Sequence, residues 1–326
     1  MTSKKYTYLP STIISYNPNI FICYFEDYIK NKKLFEFWVK NQKLKLTYVI
    51  FMFGWHYESA ERIDQLKKDL NSIRSTLPEI NIIFLANSNL EKKNIENIGE
   101  RVVFCNKNVF LKECRYKVSS QKKIYDAIYI ARITPFKRHH LALKIPNLLL
   151  IGSYSEKEKK YAENTILKFE KEIKYIRKVK GVFIYRYINQ AKVGLALSDE
   201  EGAMYAAIEY GLCGIPLVTT RNKGGREFSL SPEYVHVLET DIPTAENVAS
   251  AVDLTIEKKF SPERVRAATI QIAEQHRERF RKLIKNLFDE SGSYGLRKFK
   301  KSIIFPHKFG LRKRVSPIFK YFKGIR

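Results

Sequence analysis

The sequence is poor in cysteine and has no long apolar run. Its four cysteines form no C-x-x-C pair, and no histidine lies at metal-ligand spacing from any of them. Unpaired thiols are typical of a reducing compartment, which argues against a disulfide-framed domain. Apolar runs such as residues 46–54 and 145–152 stop far short of the roughly 18 residues that a membrane-spanning helix needs. Because no signal-peptide pattern is evident either, we expect a cytoplasmic protein.

Common catalytic signatures are also missing. The sequence has no G-x-x-x-x-G-K-[ST] phosphate loop, no G-x-S-x-G elbow, no H-E-x-x-H pair and no G-x-G-x-x-G turn. The nearest approach to a D-x-D metal clamp runs from Glu239 to Asp241, and a solvated loop after a strand explains it better. We therefore expect neither a metal site nor a bound cofactor.

Acidic residues are scarce relative to basic ones. The chain has 34 Asp and Glu against 59 Lys and Arg, a net charge of +25, which favours an anionic partner. Residues 292–326 contain 11 Lys and Arg, seven aromatic residues and no acid. This pattern suits an anionic membrane surface, where aromatic rings lie at headgroup depth. Stacking on single-stranded nucleic acid and a solvated tail are the alternatives.

Strand-like and helix-like segments alternate along the chain. Short runs of β-branched and aromatic residues are separated by polar stretches of helical period, which predicts an α/β protein with doubly wound parallel sheets. The predicted strands are residues 12–15, 20–24, 47–53, 80–85, 102–105, 127–131, 148–151, 182–185, 193–197 and 215–219. The predicted helices include residues 59–77, 155–179 and 262–290.

The length of 326 residues predicts two domains. A Lys-rich segment, residues 117–125, interrupts the alternation and is interpreted as a linker. We expect an amino-terminal domain over residues 1–122, a second domain over residues 123–290 and a basic tail over residues 291–326.

The most informative stretch is residues 193–226, VGLALSDEEGAMYAAIEYGLCGIPLVTTRNKGGR. A buried strand is predicted to end at Ser198, with a helix of small and apolar residues starting there. Ligands of open parallel sheets bind beyond the carboxyl ends of strands, and a helix start offers free N–H groups to a phosphate. Glu201 and Glu209, eight residues apart, would lie about 12 Å apart along one helix. The alternatives are a Ser198–Glu201 capping box and a partly exposed helical acid at Glu209.

This E-x7-E pattern, followed by Gly224-Gly225, resembles the retaining GT-B glycosyltransferases. That family includes sucrose and glycogen synthases and many bacterial lipopolysaccharide and capsule transferases. The segment from 125 to 137, a strand followed by Arg132 and Lys137, is similar to the same family. The resemblance covers roughly residues 126–288 and implies two Rossmann-like domains that face a cleft.

The resemblance also implies roles for individual residues. Arg132 and Lys137 would grip the diphosphate of a nucleotide sugar, Glu201 would contact the donor sugar, and Glu209 would contact the ribose. Two cations at a strand's carboxyl end suit a pyrophosphate in any case, although ordinary surface charge is the alternative. Four further residues are expected to line the substrate site: Gly202, Ala203, Gly224 and Gly225.

The first 120 residues resemble the family less, because they are short and have no Gly-rich loop. His56, just past a strand, is a candidate for the acceptor-side histidine, or a histidine in an aromatic loop. Asn108 would line the cleft or cap a turn. Tyr187, following the predicted strand 182–185, would stack on the nucleotide base.

The leading interpretation is a metal-independent, retaining hexosyltransferase. It would use a nucleotide diphosphate sugar and an envelope glycan or glycolipid acceptor, such as lipopolysaccharide, capsule or lipid-linked oligosaccharide. Residues 292–326 would hold it on the inner face of the plasma membrane. The alternatives are a basic nucleic-acid-binding protein, for which no reader motif is present, and a GT-B scaffold without catalytic activity.

Overall fold

The structure, a computed structural model, describes residues 11–41, 46–169 and 173–292. These residues divide into two compact units. One contains the described residues up to 111 and from 276 onward, and the other contains residues 112–275. The expected domain boundaries at 122 and 290 differ from this division, mainly because the end of the last helix groups with the first unit.

The first unit is built on a five-stranded sheet in the order β1-β2-β3-β4-β5, in which only the β1–β2 pair is antiparallel. Its strands are β1 (Ser11–Tyr16), β2 (Asn19–Tyr24), β3 (Thr47–Met52), β4 (Ile80–Ala86) and β5 (Arg101–Phe104). Its helices are α1 (Phe25–Lys30), α2 (Lys32–Asn41), α3 (Ala60–Thr76) and α4 (Asn89–Asn97). Because the described strands follow chain order across the sheet, this sheet has no point where the strand order reverses.

The second unit is built on a six-stranded, fully parallel sheet in the order β11-β10-β9-β6-β7-β8. Its strands are β6 (Tyr125–Ile130), β7 (Leu148–Ile151), β8 (Lys174–Ile176), β9 (Ala191–Ala196), β10 (Leu217–Thr220) and β11 (Val235–Leu238). Its helices are α5 (Lys159–Leu167), α6 (Ile184–Ile188), α7 (Tyr205–Leu212), α8 (Ala245–Glu257) and the first half of α9 (Pro262–Glu290).

The strand order of the second sheet is that of a Rossmann fold. From β6 the chain adds β7 and β8 on one side, then returns to add β9, β10 and β11 on the other. The order therefore reverses between β6 and β9, and this switch point is where doubly wound sheets bind their ligands. The expected α/β class with doubly wound parallel strands is confirmed.

The end of α9 is fixed to the first unit by polar contacts. Cys105 Sγ donates to the carbonyl of His276 at 3.4 Å, and Arg277 Nε donates to the carbonyl of Val109 at 2.8 Å. The Arg101 guanidinium forms two hydrogen bonds, of 2.7 and 2.9 Å, with the Glu290 carboxylate. These contacts explain why residues after 275 depart from the expected second domain.

Two expected elements of the second unit are wrong. Residues 182–185 are not a strand, because Ile184–Ile188 forms α6, and the third strand along the chain is β8 (Lys174–Ile176). The expected helix over residues 155–179 ends at Leu167, since the chain must extend again to pair β8 with β7.

None of the described helices has the length and apolar character to cross a membrane. All four cysteines are free thiols, as expected.

Candidate active site

A largely buried ion pair lies at the switch point of the second sheet. Lys137 ends a short 3-10 turn after β6, Glu201 lies in the loop after β9, and their side chains form an ion pair. The Lys137 side chain is 7% exposed and that of Glu201 is 17% exposed. Burial lowers the pKa of Lys137, while the Glu201 carboxylate opposes that shift and favours the ammonium form.

Arg226 lies beneath this pair, and sequence analysis did not identify it as a site residue. Its side chain is fully buried, and its guanidinium donates to Ser198 Oγ and to the Ser198 carbonyl, each at 2.6 Å. It also donates to Thr219 Oγ1 at 2.9 Å. Ser198 Oγ in turn donates to Glu201 Oε2 at 2.7 Å, and Arg226 Nη1 lies 4.0 Å from the same oxygen. Arg226 and Ser198 therefore orient the Glu201 carboxylate.

Arg138 also holds the loop that carries Glu201 by hydrogen bonds. Its backbone is in the left-handed region, with φ 49°, which is strained for a residue with a side chain. Its guanidinium donates to the Leu197 carbonyl and to Thr220 Oγ1, each at 2.6 Å. The loop that carries Glu201 is thus held to β10 and to the turn after β6.

His139, next along the chain, adds no charge to the site. The ring is fully buried and lies 4.9 Å, centroid to centroid, from that of Tyr129. Burial lowers the pKa of His139 to about 3, so the imidazole is neutral at physiological pH.

The loop between β9 and α7 differs from the expected helix start. α7 begins at Tyr205, so the prediction that Glu201 and Glu209 share one helix is wrong. Ser198 pairs with the Glu201 side chain, but this pair does not cap a helix. Gly202 and Ala203 are buried in the loop itself.

Gly224 is required by a close contact with this loop. A Cβ atom at Gly224 would lie 1.7 Å from the Glu201 carbonyl oxygen, and φ there is 108°. The Lys223 carbonyl accepts from Glu201 N at 3.1 Å, and Lys223 N donates to the Asp199 carbonyl at 2.7 Å. Gly225, with φ 65°, then turns the chain into the segment that carries Arg226. The Gly-Gly pair therefore brings the loops after β9 and β10 together.

Glu209 lies inside α7, where its side chain is almost fully buried. Its Oε1 accepts a hydrogen bond of 2.9 Å from the Tyr116 hydroxyl. Burial and the Glu209 carboxylate together raise the pKa of Tyr116, so Tyr116 stays protonated and donates. Glu209 is a buried acid, not the partly exposed helical acid of the alternative interpretation.

The structure does not bring Arg132 or Tyr187 into contact with the Lys137–Glu201 pair. Arg132 follows β6, as expected, but its side chain is 65% exposed and lies 3.4 Å from Glu158. Tyr187 is in α6 rather than after a strand, and it lines a pocket with Gln190, the residue before β9. It therefore lies at the amino-terminal edge of the sheet, opposite to the edge expected for a base-stacking residue.

The two candidates of the first unit follow the carboxyl ends of β3 and β5. His56 is 1% exposed, and its Nδ1 accepts from Glu58 N at 3.4 Å. Asn108 is fully buried in a 3-10 turn, where its backbone N–H donates to Asn106 Oδ1 at 3.1 Å. Both residues are part of polar clusters at the edge of the sheet where ligands of parallel sheets bind.

A buried acid, Glu91, contacts the loop that carries His56. Its carboxyl group accepts from Tyr57 N at 2.9 Å and from Asn87 N at 2.6 Å. Burial raises the pKa of Glu91 to about 8, despite these two hydrogen bonds. Glu91 therefore fixes the loop after β3 to the loop after β4.

In the described ranges no three His, Cys, Asp or Glu side chains are grouped so as to hold a metal ion. No protein-family model and no curated protein sequence matches the chain.

Solved structures, in contrast, match most of its length. A sucrose-phosphate synthase from Thermosynechococcus elongatus is 16% identical, with a TM-score of 0.56 over 80% of this chain and 79% of that one. HepE of Anabaena, in complex with UDP and glucose, is 15% identical, with a TM-score of 0.59 over 82% and 77%. A glycosyltransferase from Rickettsia africae is 13% identical, with a TM-score of 0.57 over 83% of each chain.

These neighbours match the chain across both units, and the second unit has the Rossmann strand order that the resemblance implied. The chain therefore has the GT-B fold.

Proposed function

We propose that this protein is a retaining glycosyltransferase that moves a hexosyl group from a nucleoside diphosphate sugar to a glycan or glycolipid of the cell envelope. The observation that carries the proposal is the largely buried Lys137–Glu201 ion pair at the switch point of the Rossmann sheet. The neighbour HepE was solved with UDP and glucose, which supports the donor class.

Lys137 and the start of α7 are the groups suited to a leaving diphosphate. As the bond between sugar and diphosphate breaks, negative charge grows on the phosphate oxygens. A desolvated ammonium stabilises that charge more strongly than a hydrated one, and the Glu201 carboxylate favours the ammonium form of Lys137. The first N–H groups of α7 add a positive dipole end. Arg132 is proposed to bind the diphosphate as well. Leaving its solvent-exposed ion pair with Glu158 costs little free energy.

The two carboxylates and the loop between them are proposed to bind the sugar and the ribose of the donor. Glu201, oriented by Ser198 and Arg226, accepts hydrogen bonds from sugar hydroxyls. Glu209 accepts from the ribose while it keeps its bond to Tyr116, since a carboxylate has about four acceptor sites. Backbone groups of the two loops are proposed to contact the donor, at Gly202, Ala203, Gly224 and Gly225.

His56 and Asn108, in the loops after β3 and β5, are assigned to acceptor binding. No residue is assigned as a nucleophile. Retention is proposed to follow a front-side attack in which the departing phosphate takes the proton of the acceptor.

The donor is identified by a thermal-shift screen of UDP-, GDP-, ADP- and CMP-sugars. A ligand at 100 times its Kd adds about 2.7 kcal/mol to the stability of the folded state, so the correct donor is expected to raise Tm by several degrees. A donor that raises Tm but gives neither transfer nor hydrolysis would favour the non-catalytic scaffold. No shift with any nucleotide sugar would contradict the proposal.

Transfer is expected to need no divalent metal, because Lys137 and the start of α7 are proposed to supply the positive charge that stabilises the leaving diphosphate. The expected rate in excess EDTA is the same as the rate in Mg²⁺ or Mn²⁺. Loss of activity in EDTA and recovery with Mn²⁺ would contradict this assignment.

The basic tail, residues 292–326, lies outside the described residues apart from Gly292. We propose that its 11 cations and seven aromatic residues hold the protein on an anionic membrane. A chain that ends at Ser291 is expected to stop cosedimenting with phosphatidylglycerol vesicles yet to keep the donor-induced shift in Tm. Equal cosedimentation of both chains, or a preference of the tail for single-stranded RNA at equal salt, would contradict it.

A further inference from the structure

A second polar pocket, separate from the donor site, opens in the same unit. Its volume is about 530 Å³, within the range of small-ligand sites. It is lined by Gln121, Lys178, Val179, Lys180, Phe183, Arg186, Tyr187 and Gln190. Within the described ranges, this lining contains three cations, two aromatic rings, two side-chain amides and no acid.

The pocket lies at the opposite edge of the sheet from the Lys137–Glu201 pair. Gln121 lies before β6, and Gln190 directly precedes β9, whereas Lys137 and Glu201 follow the carboxyl ends of the same two strands. Six strand residues span about 20 Å. A ligand in this pocket therefore does not belong to the donor's reacting end.

The cations of the pocket are available to an anion. Lys178 and Lys180 are exposed, and neither amine is paired to a side chain in the part of the chain that the structure describes. Arg186 lies over the Phe183 ring, with its guanidinium carbon 5.1 Å from the ring centroid, and so is held at the pocket wall. Among the described residues that line the pocket, three cations stand without an opposing carboxylate, so this lining is strongly positive.

The remaining lining residues fit a sugar ring better than a lipid chain. Phe183 is 43% exposed, and Tyr187 lies beside it in the lining, so the pocket offers aromatic surface to the apolar face of a sugar. Gln190 Nε2 donates to Gln121 Oε1 at 3.3 Å, which leaves further amide groups for hydroxyls. A concave, amide-bearing pocket differs from the flat apolar surface that inserts into a bilayer.

We propose that this pocket binds a segment of anionic glycan, one that carries carboxylate or phosphate groups. The inference rests on the proposed function, because a glycan-modifying enzyme gains from holding its acceptor chain at a second point away from the reacting end. Lys178 and Lys180 bind the anionic groups, Phe183 and Tyr187 contact the sugar rings, and Gln121 and Gln190 bind hydroxyls. Linked contacts of this kind raise the local concentration of acceptor.

The test is calorimetric titration of the full chain with tetragalacturonate, and with maltotetraose as the neutral probe. Tetragalacturonate is expected to bind at least tenfold more tightly than maltotetraose. The variants Lys178→Ala/Lys180→Ala and Phe183→Ala are each expected to weaken tetragalacturonate binding at least tenfold. The matched control is Lys157→Ala/Lys160→Ala, which removes two exposed cations elsewhere in the unit and is expected to bind as the unaltered chain does.

Equal weakening by the pocket and control variants would overturn the inference, because it would show general attraction of polyanions. Loss of vesicle or single-stranded RNA binding in the pocket variants, with tetragalacturonate binding unchanged, would also overturn it. The donor-induced shift in Tm is expected to stay unchanged in every variant. If the unaltered chain shows the donor-induced shift but does not bind tetragalacturonate, only the pocket proposal is contradicted. If the unaltered chain shows no donor-induced shift, the proposed function is contradicted.

Discussion

Replacing Lys137 by methionine, or Glu201 by glutamine, is expected to lower kcat for sugar transfer by roughly 10²–10³-fold, the usual cost of removing one group that stabilises transition-state charge. Lys137 matters because its ammonium is desolvated, being 7% exposed, and lies at the sheet's switch point. Glu201 has two proposed roles, since its carboxylate favours the ammonium form of Lys137 and its oxygens are available to the donor sugar. The measurement is turnover of the purified variants with the donor found by the screen.

These variants are expected to stay folded, because the other hydrogen bonds of the site remain when Lys137 or Glu201 is replaced. Without the Lys137 amine, the Glu201 carboxylate still accepts from Ser198 Oγ at 2.7 Å and lies 4.0 Å from Arg226. Arg226 remains paired with Ser198 and Thr219 in both variants.

The chain contains a matched control for this experiment. Lys223 forms a second ion pair of 2.6 Å with Glu200, the residue before Glu201, and both side chains are 45% exposed. Lys223→Met and Glu200→Gln remove the same charges from solvent and are expected to change kcat less than about twofold, because exposed pairs are worth little. Near-normal turnover in the Lys137 or Glu201 variants, or equal loss in the Lys223 and Glu200 variants, would contradict the site.

The fold was predictable because its strands are locally encoded. Apolar runs such as Thr47–Met52 and Leu148–Ile151 are buried along their whole length, as parallel strands covered on both faces must be. Shorter elements were not predictable in the same way. The strand Lys174–Ile176, which begins with an exposed lysine, is partly exposed and exists through its pairing with β7. Residues 182–185 are an apolar run, yet they continue into α6. A four-residue apolar run does not distinguish these outcomes by period alone.

The candidate site was also predictable only in part: two of its residues were predicted and one was not. Lys137 and Glu201 each follow a predicted strand, so the rule that parallel strands place their carboxyl ends at one edge brings them together. Arg226 follows two glycines in a basic chain and resembles any surface arginine. Its burial depends on hydroxyl groups 28 and seven residues earlier, Ser198 and Thr219, which only the pairing of β9 with β10 brings beside it. The signal available in the sequence was these hydroxyl residues at the ends of two adjacent apolar strands.

Replacing Arg226 by methionine is expected to produce the largest loss of stability of any substitution at the site. The change removes a fully buried guanidinium that donates to Ser198, Thr219 and Thr220. It leaves the Ser198 and Thr220 carbonyls without this donor, and breaking a buried charged network of this kind costs about 3–5 kcal/mol. For a unit of this size each kcal/mol lowers Tm by about 2–4 °C, so Tm is expected to fall by about 6–20 °C. Scanning calorimetry measures the change.

Arg221→Met is the matched control, because it removes the same side chain five residues away. Arg221 is 57% exposed, and its partner Asp241 is 82% exposed across 2.8 Å, so its loss is expected to change Tm by no more than about 2 °C. Arg226→Lys keeps the charge but loses the planar fork that reaches both Ser198 and Thr219, and an intermediate Tm is expected. Donor binding distinguishes the effect of Arg226 on the orientation of Glu201 from its effect on the stability of the protein. At a temperature where Arg226→Lys is fully folded, its donor Kd is expected to rise at least tenfold, because Ser198 no longer orients Glu201. Equal Tm and donor Kd for Arg226→Lys and Arg221→Met would contradict both roles of Arg226.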